Sequence, residues 1–397
     1  MRLLRSLIAV VLLTTLIAGC ATQRTTTSDA TTRDGLTLIS PANRVVYQRG
    51  LDGTALLRIA GSDAKPGAAL EARLSPVDSS ANAPERWQPL GTARADGRFD
   101  ERLRAKAGWY RLEVRAKARR GAPIATVDRV GVGEVFIVVG HSVAQGGRTN
   151  LAGAMDDRVN TIAWPTHSEA ARQDYERTAD PRFLPPLIGT HFTNDVVPGP
   201  FGHGPYFWAQ FAGRVAQSQN VPVLLLNAAF GGTSLEHWAK SSRGERFEHS
   251  FVKSALRMPY INLHHALQHY AAVTGVRAIL ADQGQNDWPE PDARKVFTNY
   301  LSFVEQARAD LGFPELAVVV NRATPPGNKT AIRRAQERMI REVPHCFAGP
   351  DYDTLAKADR YDGIHLSESG MQRAAQLWAE ALIPTFFQQA APFQPLR

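Results

Sequence analysis

Four stretches in the second half of the chain are apolar without interruption: "EVFIVVG" at 134–140, "VPVLLLN" at 221–227, "RAILAD" at 277–282 and "ELAVVVN" at 315–321. A strand with one face in water alternates apolar and polar residues, because successive side chains point to opposite faces. Runs without alternation must be covered on both sides, as strands of a parallel sheet are. Between them the period changes to that of a helix. In "ARKVFTNYLSFVEQARADLG", Val296, Tyr300, Phe303, Val304, Ala307 and Leu311 recur at three- and four-residue spacing, and Gly312 supplies the stop. Alternating strands and helices predict a three-layer α/β/α, doubly wound parallel sheet over residues 131–390. Its active site should lie beyond the carboxyl ends of the strands.

The segment 36–130 reads differently. "ALEARLS" places Leu70, Ala72 and Leu74 on one face and Glu71 and Arg73 on the other; "WYRLEVRA" does the same with Tyr110, Leu112 and Val114 against Arg111, Glu113 and Arg115. A period of two marks strands buried on one side, and "ADGR" and "RRGAP" supply turns. A small antiparallel β-sandwich domain is expected, accessory because it holds no catalytic constellation. One connection, Gln145 to about Pro205, is long and rich in Pro, Gly and aromatic residues; such loops are usually functional or disordered.

Ahead of these, "MRLLRSLIAVVLLTTLIAGC" has Arg2 and Arg5 followed by an apolar stretch from Leu7 to Ile17. That is shorter than the ~20 residues of a spanning helix and reads as an export signal, residues 1–19. "LIAGC" resembles the bacterial lipoprotein box, which implies cleavage before Cys20 and lipidation of its thiol; a soluble secreted protein is the alternative. Residues 20–35 are polar and read as a lipid-anchored flexible tether. Ala21 in place of the aspartate that often retains lipoproteins at the inner membrane favours the outer membrane of a bacterial envelope. The only other cysteine, Cys346, has no motif around it and reads as a small packing residue. The formal charge of +8 comes from scattered basic residues, which argues against nucleic acid and leaves anionic glycans, lipid head groups or simple solvation. No cysteine–histidine zinc spacing is present, and no metal or cofactor is expected.

Polar signals fall where the apolar runs end. Ser142 follows the first, Gly231 and Gly232 the second, Asn286 the third, and Asp362 stands three residues before His365, ahead of a helix starting near Ser367. Acyl transfer from a serine needs a base, a group that orients the base, and donors aimed at the oxyanion. His365 suits the base and Asp362 the orienting group. The backbone N–H groups of Ser142 and Gly232 and the Asn286 amide suit the donors. A serine after a strand is also a common helix N-cap, a role compatible with catalysis.

This order, with Gly140-His141-Ser142, Gly232, Gly284-x-Asn286-Asp287 and Asp362-x-x-His365, resembles the SGNH or GDSL-type hydrolase superfamily. The counterparts "GHSV", "GGTSLEHW" and "QGQND" resemble most the sialate O-acetylesterase-like carbohydrate esterases, over about residues 134–385. The resemblance implies a serine esterase acting on an acetylated glycan, with acetyl preferred over long acyl groups. His141, Val143 and Gln285 depart from the glutamine, asparagine and glutamate usual there, which leaves the catalytic set intact and the substrate open.

Other residues carry two readings. His141 is a base only if the chain turns sharply, since adjacent side chains leaving a strand diverge; otherwise it supports the catalytic residues from behind or contacts substrate. Gln145 and Gln283 are further candidate contacts. Trp164, Trp208, Trp238 and Trp288 are sugar platforms or core. His264, His265 and His269 mimic a metal pair, but without an acidic partner in view they read as a solvated helix face. The leading reading is a lipid-anchored envelope O-acetylesterase. An acyltransferase using the same residues and a catalytically silent glycan-binding lipoprotein remain as alternatives.

Overall fold

The computed structural model describes residues 36–79, 81, 86–117, 125–164, 168–287, 290–324, 330–382 and 384–395; the signal, the tether, Cys20 and Trp288 lie outside them. Its strands are β1 (Thr37–Ser40), β2 (Val45–Gln48), β3 (Thr54–Ser62), β4 (Ala69–Pro76), β5 (Gln88–Thr92), β6 (Phe99–Lys106), β7 (Gly108–Ala116), β8 (Ala125–Gly140), β9 (Val159–Ile162), β10 (Gly189–His191), β11 (Val223–Asn227), β12 (Ala278–Asp282), β13 (Ala317–Arg322) and β14 (Cys346–Asp351). The helices used below are α1 (Ser142–Gln145), α2 (Trp208–Gln219), α3 (Leu235–Ser242), α4 (Ala293–Leu311), α5 (Thr330–Glu342) and α6 (Glu368–Ala381).

The four apolar runs form the middle of one large sheet of order β10-β9-β11-β8-β12-β13-β14, parallel except for β10. Both faces are covered. Val135, Ile137 and Val139 of β8 enter a core with side chains of α3, α4 and α5, while Phe136 and Val138 enter another with α2 and α6. Along α4, Val296, Tyr300, Phe303, Val304 and Ala307 are buried; Asp292 caps its start and Gly312, at φ +66°, ends it. The long connection after Gln145 is more ordered than expected. It contributes β9 and β10 to the sheet, strands of four and three residues that are too short to stand out as apolar runs.

Ahead of the central sheet, β1, β3 and β6 form a three-stranded antiparallel sheet. It shares a core with β4, β7 and the first half of β8, into which Leu70, Ala72, Leu74, Leu112 and Val114 all point. On the opposite face Arg73 pairs with Glu113 and Arg115 with Glu71, and both guanidiniums pack over Trp87.

Strand β8 belongs to both regions. Its first half pairs with β2 and β7, its second with β11 and β12. At the crossing Glu134 is wholly buried and accepts hydrogen bonds from Gln48 (2.9 Å), Arg49 (2.7 Å) and Arg277 (2.8 and 3.0 Å). Burial alone would raise its pKa, but the two guanidiniums and Gln48 outweigh that and hold it below the ordinary range. Arg277, 1% exposed, also donates to the Ala390 carbonyl at 2.8 Å.

Candidate active site

β8 ends at Gly140, where φ is +141° and a side chain would collide with the Asp282 carbonyl. Glycine therefore lets the chain turn sharply into α1, whose N-cap is His141 and whose first residue is Ser142. The turn carries the serine hydroxyl to the carboxyl end of the sheet. There Ser142 Oγ lies 2.8 Å from His365 Nε2, and His365 Nδ1 lies 2.6 Å from Asp362 Oδ2. The other Asp362 oxygen accepts the backbone N–H groups of Ile364 (2.9 Å) and His365 (2.7 Å). Burial pushes this carboxyl up, but the bonds from His365 and the two amides prevail and hold it down at about 2. An ionised Asp362 keeps the imidazole proton on Nδ1, which leaves Nε2 free to accept the serine proton.

His141 is placed differently. It is fully buried, with Nδ1 3.5 Å from Ser142 Oγ. With the Gln285 amide oxygen turned to Arg360 (2.5 and 3.0 Å), its nitrogen donates to His141 Nε2 at 3.2 Å. Burial, then the neighbouring His365 and Arg360, push His141 down to about 3. A neutral imidazole sealed under the turn is not the base, and of its two other expected roles burial rules out substrate contact and leaves support from behind. Its work is to hold the Ser142 turn.

The glycine turn lies alongside the serine. A side chain built on Gly231 would sit 3.6 Å from Ser142 Cβ, and Gly232, at φ +72°, faces the Phe251 ring. Gly231 N–H donates to Gln145 Oε1 (2.7 Å), and the Gln145 amide donates to the Phe201 carbonyl (3.2 Å). Gln145 thus braces the turn and also lines the cleft. Asn286 donates one of its two amide hydrogens to the Thr233 carbonyl of the same turn, at 3.3 Å. Ser142, the glycine turn and Asn286 are thereby linked at the carboxyl end of the sheet.

Three other expected contacts are structural. Gln283 is 1% exposed and donates to the Thr233 carbonyl (2.9 Å) and Asp287 (3.2 Å), while Asp287 caps α3 through the Leu235 N–H (2.8 Å). Trp238 and Trp208 are buried at 1% and 0%, so they pack cores and offer no face to a sugar. Trp164 is half-buried, fixed by the Pro200 carbonyl at 2.7 Å, and lines the cleft. The histidine helix is a solvated face only in part, since His269 is exposed. His265 is buried against Tyr175 (3.0 Å), and His264 meets an acidic partner, Asp310, at 2.8 Å. Among the described residues no group of three or more His, Cys, Asp or Glu is placed to hold a metal ion. Cys346 is buried, and burial pushes its thiol up to about 11.

A cleft of about 450 Å³ opens from Ser142, walled by Trp164, Tyr175, Phe201, Phe230 and Phe251 and carrying Arg172 and Lys253. The Gln285–Arg360 brace and the rim residue Phe251 were not anticipated. Gln285 had been weighed as a departure from a motif, and Phe251 lies in a stretch with no motif at all.

The family described as "carbohydrate esterase, sialic acid-specific acetylesterase" matches residues 132–384. No curated protein matches the chain. Its structure is similar to that of a carbohydrate acetylesterase from Xanthomonas citri, at 18% identity and a TM-score of 0.49, over 87% of this chain and 74% of that one. It is also similar to a psychrotrophic esterase, EstA, from Pseudoalteromonas sp., at 10% identity and a TM-score of 0.33, over 63% and 96%. With more than half of its length matched, the chain belongs to the sialic acid-specific acetylesterase family of carbohydrate esterases, and it is a carboxylic ester hydrolase.

Proposed function

We propose that the protein is a serine O-acetylesterase that removes acetyl groups from a cell-envelope or environmental glycan. The observation that carries this reading is the unbroken line from Asp362 through His365 to Ser142, with spacings of 2.6 and 2.8 Å. As the Ser142 oxygen bonds to the ester carbonyl carbon, its proton passes to His365 Nε2. The carbonyl oxygen becomes an oxyanion facing the Ser142 and Gly232 N–H groups and the Asn286 amide. The carbon–oxygen bond to the sugar then breaks, and the departing sugar oxygen takes the proton from Nε2. Acetyl-Ser142 is cleared by water, deprotonated by the same nitrogen, releasing acetate and restoring the serine.

Strands β1–β7 serve as an accessory β-sandwich, residues 36–130, preceding a catalytic region at 131–390. The "LIAGC" box supports a lipid anchor on Cys20 and an address in the bacterial envelope, at the outer membrane; Cys20→Ser should release the protein into the soluble fraction or stall its processing. The esterase reading is tested by acetate release from p-nitrophenyl acetate and from O-acetylated oligosaccharides. Turnover that disappears in Ser142→Ala is expected. A full chain inert towards both would leave the silent glycan-binding reading in possession.

A further inference from the structure

Among the described residues only two aromatic side chains are strongly exposed: Phe251, at 58%, and Tyr361, at 70%. Both stand on groups of the proposed reaction. The Tyr361 ring stacks on the His365 imidazole, 5.7 Å between centroids and 15° between planes. Its backbone N–H also donates to the His365 carbonyl at 3.1 Å. One face is thus covered by the histidine, and the exposure belongs to the other.

Phe251 lies over Gly232 and is held there by His249. His249 Nδ1 accepts the N–H groups of Phe251 (3.3 Å) and Val252 (3.1 Å), and the two rings pack edge to face at 4.5 Å. With Nδ1 accepting, the ring proton sits on Nε2, which donates to the Gly232 carbonyl at 3.3 Å. The phenyl ring is therefore tied to the turn that offers the oxyanion glycine. Exposed apolar side chains gathered at a functional site mark a surface that a ligand covers.

The two rings are not walls of one pocket. Phe251 lines the cleft that opens from Ser142, whereas neither His365 nor Tyr361 does. They are also carried by opposite flanks of the sheet. Gly232 follows β11 on one side of β8, and Tyr361 follows β14 beyond β12 and β13 on the other. A single sugar in the cleft meets Phe251 alone. We infer that the substrate is an oligosaccharide or polysaccharide chain lying across the site, with one sugar against Phe251, the acetylated sugar at Ser142 and a further sugar on Tyr361. The C–H face of a pyranose is apolar, and two rings already fixed in place bury it at little ordering cost. Arg172, on the cleft wall, is held by long ion pairs to Glu176 (3.5 Å) and Glu169 (3.7 Å) and adds positive charge beside the bound chain.

This inference rests on the esterase reading, and one set of measurements separates them. Acetate release would be followed on p-nitrophenyl acetate and on O-acetylated xylo- and cello-oligosaccharides of one to four sugars. For the full chain, kcat/KM should climb about tenfold or more from one sugar to four in at least one series. Phe251→Ala and Tyr361→Ala should each lower the ratio of tetrasaccharide to aryl acetate kcat/KM about tenfold, mainly through KM. Tyr361→Phe, which keeps the ring, should hold that ratio. A flat length series on both sugars, or variants that leave the ratio unchanged, would overturn the inference while turnover of the aryl acetate upheld the esterase. Inertness towards every ester would take down the esterase reading first, and this one with it.

Discussion

The central sheet buries carboxyl groups at both of its ends, and it treats them in opposite ways. At the amino-terminal end Glu134 meets Arg277, Arg49 and Gln48, so its charge is matched and its pKa held low. At the other end Asp282 meets only the Asn321 amide, at 2.5 Å, and its second oxygen has no partner among the described residues. Asp287, just beyond, accepts the Leu235 N–H and the Gln283 amide. Burial pushes both aspartates up to about 7. One end is built to hold two regions together, while the other keeps unmatched polar groups beneath Ser142. Local rules are expected to be broken at sites of function and satisfied elsewhere. The contrast predicts that damage to the first end shows as lost stability, and damage to the second as lost rate.

The largest effect should come from the serine and its base. Ser142→Ala and His365→Ala should each lower kcat by ~10⁴-fold or more, and the double variant should be no slower, because the two groups act in one proton transfer. Their melting temperatures should stay near that of the parent. Losses that multiplied in the double variant would mean that the two residues act separately.

Breaking the opposite end should do the reverse. Arg277→Met leaves Glu134 buried beside Arg49 alone and should cost about 3–5 kcal/mol in urea unfolding, with kcat of the folded protein little changed. Replacing Glu134 by Leu in the same chain should restore much of that loss. A rate that fell in step with stability would erase the distinction between the two ends.

Asn286→Ala removes one oxyanion donor and should lower kcat by ~10²- to 10³-fold, about 3–4 kcal/mol of transition-state stabilisation. A variant as fast as the parent would exclude the amide from the oxyanion hole.

The smallest effect is on the pH dependence of stability. An aspartate ionises near pH 4 in the unfolded chain, whereas folded Asp282 keeps its proton up to about 7. Between those values the folded state binds more protons, so this group's contribution is fully present at low pH and is lost as pH rises through 7. Glu134, held low, has the opposite sign and loses its contribution as pH falls. Asp282→Asn should therefore flatten the decline of the melting temperature between pH 5 and 8. An unchanged slope would mean that Asp282 is already ionised in the folded protein.

Much of this was legible in the amino acids because it depends on periodicity or on the order of a few polar residues. The uninterrupted runs demanded two covering layers and received them, and the alternation in "ALEARLS" and "WYRLEVRA" separated the face in the sandwich core from the charged face, although Glu113 on the latter is itself buried. Ser142, His365 and Asp362 were named from their places after strands, and they meet within hydrogen-bonding distance. Strands β9 and β10 escaped notice because three or four residues are too few to display a period. Trp238 could not be sorted from sequence: burial of an aromatic is decided by what packs on it, here Phe303, with Thr233 satisfying its N–H. The choice between the two non-base roles of His141 is hidden for a related reason. Its neighbours in the chain say nothing of Gln285 and Arg360, which close over it from other strands' ends.

Strand β8 carries a consequence for biosynthesis. When residue 140 has just been made, the partners of the strand's first half exist already, but β11 and β12 await residues 223 and 278. Until then an uninterrupted apolar segment hangs from an otherwise complete set of strands as a pair of open edges, the kind of template on which nascent chains pair wrongly. Protection of that half-finished strand during synthesis, more than the final stability of the molecule, should govern how much correctly folded enzyme a cell obtains.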